Sequence, residues 1–449
     1  MKKIENTSLL LTDLYQLTML QGYYNQGMNE TAVFEFFVRD LPAKRNFLMA
    51  AGLEQVLDYL EHLHFTDEDL TWLSKQGKFN SDFINFLEGL RFRGDVYAMP
   101  EGTVFFPDEP LLRITAPIPQ AQLAETRIIN LLQFQTMIAS KAVRMVLAAP
   151  GKLLVDFGLR RAHGAEAGLL AARASYLAGF AGTSTVLAGK VFDIPIYGTM
   201  AHSFIQAHDN EIEAFEHFAF AQPANVVLLI DTYDTEAAAE QVVRLAPRLR
   251  ENGVSVKAVR LDSGDMVEHS RRVRHILDGG GLRDVRIFTS GNLDENALQH
   301  FMAVKAPIDG FGVGTRMVTS ADTPYLDCAY KLVEYAGTAR RKRSEGKGTW
   351  PGRKQVYRYY NKDGTMTGDI LTVEDDIRSG KPLLQLVMKG GKRLVPLPSL
   401  VDTREFARLE IEKLPSALRQ LGKNPTYHVE ISSVLRNLTE EVDKGTAFL

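Results

Sequence analysis

Val254-Ser255-Val256-Lys257-Ala258-Val259-Arg260-Leu261 runs straight into Asp262-Ser263-Gly264-Asp265. The apolar, β-branched stretch reads as a strand, and the polar tetrapeptide as a turn that opens a helix. The same arrangement recurs along the chain. Leu153-Leu154-Val155 ends in Asp156-Phe157-Gly158 and Arg160; Ile194-Pro195-Ile196-Tyr197 ends in Gly198-Thr199 and Ala201-His202-Ser203. Val226 to Ile230 ends in Asp231-Thr232-Tyr233-Asp234, Val285 to Phe288 in Thr289-Ser290-Gly291-Asn292, and Phe311 with Val313 in Gly314-Thr315. The interval is roughly 30 residues, the length of one strand–helix unit. Strands alternating with helices make a parallel sheet. Because every strand delivers polar residues at its C-terminal end, a (β/α) barrel is preferred over an open sheet, where only the strands at the switch point need them. With six clear units the expected fold is α/β: an irregular or incomplete (β/α) barrel, plus a smaller α+β domain built from the N- and C-terminal segments.

The flanks fit that division. Residues 1–118 read as an N-terminal α+β region: Leu53, Val56, Leu57, Leu60 and Leu63 share a helical face, Val33 to Val38 is a strand, and Asp95 to Thr115 is broken by Pro100, Gly102, Pro107 and Pro110 into short β pieces. Residues 119–335 are the barrel-like domain. Residues 336–449 open with the basic run Arg340 to Lys347, return to strands near Gln355–Tyr360 and Leu383–Met388, and end in a helical pattern from about Arg404 to Leu421, completing the smaller domain.

The 449 residues are 45% hydrophobic and 24% charged, which excludes a disordered, collagenous or coiled-coil chain. A net charge of -3 gives no bulk attraction to nucleic acid or to a membrane. One cysteine, Cys328, excludes an internal disulfide framework and a cysteine-rich zinc ribbon, and it reads as a small core residue. The apolar run Leu9-Leu10-Leu11 is too short for a signal peptide, so the expected compartment is the cytoplasm.

The strand ends carry the chemistry. In Asp262-Ser263-Gly264-Asp265 the glycine permits a close turn and the helix start offers N–H groups to an anion. A plain N-cap reads equally well until Arg260, two residues earlier, is counted: a guanidinium at the strand end suits phosphate or carboxylate. Ser290-Gly291-Asn292 and Gly312-Val313-Gly314-Thr315 are glycine turns at two late strands, where barrels often bind phosphate. His202 would share the mouth with Asp231 and Asp262, as a base or a nucleophile. Arg160 and Arg161 suit a carboxylate, or a solvated helix start. No histidine spacing suggests zinc. From the residues alone the result is a phosphate-binding barrel enzyme.

Five ordered motifs go further. Thr12 to Met19 (TDLYQLTM), Asp156 to Arg161 (DFGLRR), Gly198 to Ser203 (GTMAHS), Leu261 to Asp265 (LDSGD) and Gly312 to Thr315 (GVGT) resemble the nicotinate phosphoribosyltransferases of the type II phosphoribosyltransferase family, and Ser344–Lys347 and Pro351–Arg358 add to the likeness. The resemblance implies transfer of phosphoribosyl from phosphoribosyl pyrophosphate to nicotinate, in NAD biosynthesis or salvage. It also implies ATP hydrolysis through a phosphohistidine at His202, with Mg²⁺ near Asp231 and Asp262. It assigns catalysis to His202, Asp231 and Asp262. Arg260 and the backbone of Ser290, Gly291, Gly314 and Thr315 would hold the sugar phosphate. Phe157 and Tyr15 would sandwich the pyridine, Tyr15 crossing from the partner of a homodimer, with Arg160 near the ring substituent. Ser184, in Gly182-Thr183-Ser184-Thr185, stands where the related nicotinamide enzymes carry an aspartate; a carboxylate there would repel nicotinate. Nicotinamide or quinolinate as substrate, a nucleotide sensor and a barrel aldolase are the rival readings.

Overall fold

A computed structural model describes residues 8–422 and 426–446. The chain divides into two compact units, Ile138–Pro324 and a second one built from Met1–Met137 with Tyr325–Leu449. The unit made from the two ends is therefore the larger of the two, not the smaller. One division falls inside the helix Glu125–Ala148. That helix has no glycine or proline to mark a boundary, whereas the sequence reading divides the chain at 118 and 335.

The unit 138–324 contains a six-stranded sheet, ordered Gly182–Thr183, Leu153–Asp156, Gly310–Val313, Arg286–Ser290, Val256–Leu261, Val226–Leu229. All neighbours are parallel, and the sheet forms a half-barrel. Strand Val256–Leu261 shows why its sequence folds this way. Val259 and Leu261 are fully buried on one face, while Ala258 and Arg260 alternate onto the other. Strand Gly310–Val313 does the same with glycine: Phe311 and Val313 are fully buried, and Gly310 and Gly312 leave the other face bare.

One strand differs from the sequence reading. Ile194–Tyr197 is not a full strand; it contributes a single parallel bridge, Thr183↔Ile196, made by Thr183 N–H to Pro195 O at 3.1 Å and Tyr197 N–H to Thr183 O at 2.9 Å. Pro195 has no N–H to extend the ladder. The sixth strand is Gly182–Thr183. Gly182 accepts this neighbour because a Cβ there would sit 2.1 Å from Pro195 O.

In the larger unit, a seven-stranded antiparallel sheet centres on Thr31–Val38, between Pro110–Pro117 and Cys328–Tyr335. Helix Leu53–Glu61 buries Leu53, Val56, Leu57 and Leu60, the face read from the sequence. A four-stranded sheet holds Lys354–Tyr360 and Met366–Val373. The C-terminal helical pattern is shorter than read: helix Leu400–Glu412 stops before Pro415, and a 3₁₀ turn Ser416–Arg419 follows. The four-stranded sheet carries a buried ion cluster. Arg358 donates to Asp369 through Nε at 3.0 Å and Nη2 at 2.6 Å, and to Val104 O through Nη1 at 2.7 Å. Cys328 is half-buried, and burial pushes its thiol up to about 11. Among the described residues no helix is long and apolar enough to cross a membrane.

Candidate active site

Three strand ends and the segment Thr199–Met200 meet at Arg260. Its guanidinium donates from Nε to Ser290 Oγ at 2.8 Å, from Nη1 to Thr199 Oγ1 at 3.1 Å and Met200 O at 3.2 Å, and from Nη2 to Asp262 Oδ1 at 2.8 Å. Its Cζ also lies 5.5 Å from the centroid of the Phe157 ring. Arg260 is 9% exposed, so its charge is held by these partners rather than by water. Ser290 Oγ donates to Asp262 Oδ1 as well. Burial acts to raise the Asp262 carboxyl, but the Ser290 hydroxyl and the Arg260 guanidinium outweigh it and hold the group below its usual range.

Asp231 is joined to the same cluster. Its Oδ2 accepts from Asp262 N–H at 2.8 Å and from Ser263 Oγ at 2.6 Å, while Oδ1 is buried with no hydrogen-bond partner. His202 opens the helix His202–Gln206, and its Nδ1 lies 3.1 Å from Thr232 Oγ1. The structure thus brings Asp231, Asp262, Arg260 and Ser290 into one hydrogen-bonded cluster, with His202 beside it on Thr232.

The ring platform follows from glycine. A Cβ at Gly312 would come 2.5 Å from the Phe157 ring, and one at Gly310 would come 2.9 Å from Phe288. Two aromatic side chains therefore rest where these glycines have no side chain, with ring centroids 5.9 Å apart. At Gly291, φ is 96° and a Cβ would meet Asp262 O at 2.3 Å, so that turn requires glycine. Gly314 precedes the short helix Thr315–Val318 and packs on Phe157 O. Arg160 lies exposed in the 3₁₀ turn Leu159–Arg161. Ser184 is half-buried between strand Gly182–Thr183 and helix Val186–Phe192, its N–H bonded to Asp156 O at 2.8 Å. Tyr15 belongs to the other unit, exposed on helix Leu14–Asn25.

Two carboxylates were not singled out from the sequence. Asp156 is 1% exposed. It accepts from Gly158 N–H at 2.7 Å and Thr183 Oγ1 at 2.7 Å, pinning together the two chain segments that carry Phe157 and Ser184. Burial pushes it up to about 6, against those two hydrogen bonds. Glu211 begins the helix Glu211–Ala221 and looks in sequence like an ordinary acidic first turn. Burial, then the charges of Asp234 and Asp231, push it up to about 7, and its Oε1 is buried without a partner. Among the described residues no group of three or more histidine, cysteine or acidic side chains is arranged to hold a metal.

The fold and these strand ends define an α/β half-barrel protein with a buried arginine–aspartate cluster beside an aromatic platform. The family description "Nicotinate phosphoribosyltransferase (NAPRTase) family" matches residues 153–346, with its N-terminal domain at 10–133 and its C-terminal domain at 378–439. A nicotinate phosphoribosyltransferase of Mycobacterium tuberculosis is 50% identical over 430 residues, 95% of this chain and 92% of that protein. The Bacillus subtilis nicotinate phosphoribosyltransferase is 35% identical, over 94% of this chain and 92% of its own. The crystal structure of human nicotinic acid phosphoribosyltransferase superposes with a TM-score of 0.86 at 29% identity, covering 96% of this chain and 99% of that one. The chain belongs to the nicotinate phosphoribosyltransferase family.

The Asp156 carboxyl gives a pH prediction. Its folded-state value lies above the ordinary 3.8, at about 6, so ionising it opposes folding. The cost is absent below about pH 4, grows as pH rises toward 6, and is constant above, at about 3 kcal/mol by ~1.4 kcal/mol per unit. Asp156→Asn removes this cost. Denaturant unfolding across pH 4–7 is expected to show the variant gaining on the parent through that window; parallel curves would contradict the assignment.

Proposed function

We propose that this protein transfers the phosphoribosyl group of phosphoribosyl pyrophosphate to nicotinate, giving nicotinate mononucleotide and pyrophosphate, with ATP hydrolysis coupled through His202. The observation that carries the reading is the joining of His202, Asp231, Asp262 and Arg260 at one end of a half-barrel in a chain of this family. Breaking the ribose–pyrophosphate bond develops positive charge on the sugar. A carboxylate held ionised, as Asp262 is, stabilises that charge. Arg260, with the backbone of Ser290, Gly291, Gly314 and Thr315, is the proposed cradle for the sugar phosphate. Phe157 offers the pyridine a flat face over glycine, and Arg160 offers its carboxylate an exposed cation.

The donors suit a hard cation. Asp231 Oδ1 is buried and bare, the kind of oxygen Mg²⁺ takes, whereas Asp262 Oδ1 is already engaged by Arg260 and Ser290. Mg²⁺ held by Asp231, with Asp262 beside it, would supply charge neutralisation at the departing pyrophosphate. Nδ1 of His202 faces Thr232 Oγ1, so Nε2 is the nitrogen proposed to take the terminal phosphoryl group of ATP, releasing ADP. Hydrolysis of that phosphohistidine returns the imidazole. The proposal includes a cytoplasmic homodimer, in which Tyr15, 47% exposed on its helix, covers the second face of the ring in the partner's site.

His202→Ala is expected to abolish the stimulation by ATP while leaving a slow ATP-independent transfer. Undiminished ATP hydrolysis by that variant would remove the phosphohistidine role. Ser184→Asp puts a like charge beside the pyridine carboxylate, so kcat/KM for nicotinate should fall ~tenfold or more; an unchanged value would refute Ser184 as a selector of the acid.

A further inference from the structure

His208 and His217 stand nine residues apart, a spacing that announces nothing in the sequence, yet the fold sets their rings together. His208 follows the helix His202–Gln206, and His217 lies on the next helix, Glu211–Ala221. His208 Nε2 is 3.1 Å from His217 Nδ1. His217 is exposed and His208 half-buried, so a solute can reach the pair. Neither ring takes part in the hydrogen bonds around Arg260.

The surroundings fix the first of these rings. A carbonyl only accepts, so His208 Nδ1, 2.7 Å from Phe204 O, carries a proton there, and the neutral ring presents Nε2 as a bare lone pair. The Phe204 ring lies 4.8 Å from the His208 ring and meets Phe218 edge-on at 6.0 Å, which holds His208 in that orientation. Asn210 caps the second helix by accepting from Glu213 N–H at 3.0 Å, setting the turn that brings His217 round. An imidazole whose other nitrogen donates to a backbone carbonyl is the usual form of a metal-bound histidine. The separation fits as well: two nitrogens on one Zn²⁺ at ~2.0–2.1 Å stand roughly 2.9–3.4 Å apart, for angles between square and tetrahedral. Charge also favours a cation. Residues 191–243 contain no lysine or arginine, and Asp209, Glu213 and Glu216 neighbour the pair in sequence, Glu216 alone of them pairing with a distant arginine, Arg248.

We infer that His208 and His217 chelate a borderline divalent transition-metal ion, of which Zn²⁺ is the type, at a surface site separate from the proposed reaction centre. Among the described residues no group of three or more metal-ligating side chains is formed, so two imidazoles and water make up the coordination. In the neutral, metal-free pair His217 Nδ1–H donates to His208 Nε2. When the cation enters, that proton passes through solvent to His217 Nε2, and both facing lone pairs turn to the metal. Each ring keeps one N–H and no proton is lost. Imidazole selects such a cation over Mg²⁺ and Ca²⁺, which take oxygen ligands. The bound ion ties the segment after the His202 helix to the helix that follows.

The test uses the full chain, stripped with EDTA and kept in millimolar Mg²⁺ so that the hard cation occupies oxygen sites. Zn²⁺ is titrated in competition with a chromophoric chelator. The parent is expected to bind one Zn²⁺, and His217→Gln to bind it ~tenfold or more weakly, since even an outer-shell partner of a ligating histidine is worth ~10–100-fold. His217 is exposed, so this substitution spares the core, which a metal-free thermal melt checks. His275→Gln, at another exposed histidine, should bind Zn²⁺ as the parent does. Cu²⁺, higher in the first-row affinity order, reads the ligands directly: its EPR spectrum should show two equatorial nitrogens in the parent and fewer in His217→Gln. Absence of Zn²⁺ binding by the parent, undiminished binding by His217→Gln, or fewer than two nitrogens in the parent spectrum would overturn the inference. The last of these needs no variant, and none of the readouts uses turnover, so the outcome is separate from that of the proposed reaction.

Discussion

One guanidinium organises the site. Arg260 spends its donors on Ser290, Thr199, Met200 O and Asp262 and stacks near Phe157, so it ties the ends of several chain segments to a single buried cation. A lysine has the charge but not the planar fork, and would hold fewer of these partners at fixed angles. Fixing Arg260 also fixes Asp262 in its ionised form. Asp231 then follows, because it accepts the Asp262 N–H and the neighbouring Ser263 hydroxyl. Charge that would be costly to bury singly is shared across a hydrogen-bonded network.

The second constraint is the absence of side chains on one face of strand Gly310–Val313. Glycine there seats two aromatic rings against the sheet and leaves the half-barrel interior unfilled. The same choice of residue thus makes the flat platform beside Arg260 and the open space behind it. Conformational freedom is not the reason at Gly310 or Gly312; close approach is, whereas at Gly291 the positive φ and the contact with Asp262 O both demand it.

Much of this was legible in the sequence because it is local. A β-branched run ending in Asp, Ser, Gly or Arg reads as a parallel strand with a polar end, and Asp231, Arg260, Asp262 and Ser290 stand at or just after such ends. Ile194–Tyr197 has the apolar pattern of a strand, but Pro195 removes a ladder donor, a loss that composition alone does not weigh. Strand Gly182–Thr183 is too short to produce any periodic signal. Asp156 and Glu211 owe their properties to burial and to distant neighbours, as does the Arg358–Asp369 pair. None of these is a property of a contiguous stretch.

The proposed reaction needs the ring platform, the sugar-phosphate cradle and His202 to act together. Pyrophosphate release from phosphoribosyl pyrophosphate tests that joint claim most directly, measured with nicotinate, nicotinamide or quinolinate, each with and without Mg·ATP. Release with nicotinate, raised by Mg·ATP and far slower with the other two, is the predicted result. No release with any of the three would contradict it and leave the half-barrel as a binding site for phosphorylated ligands.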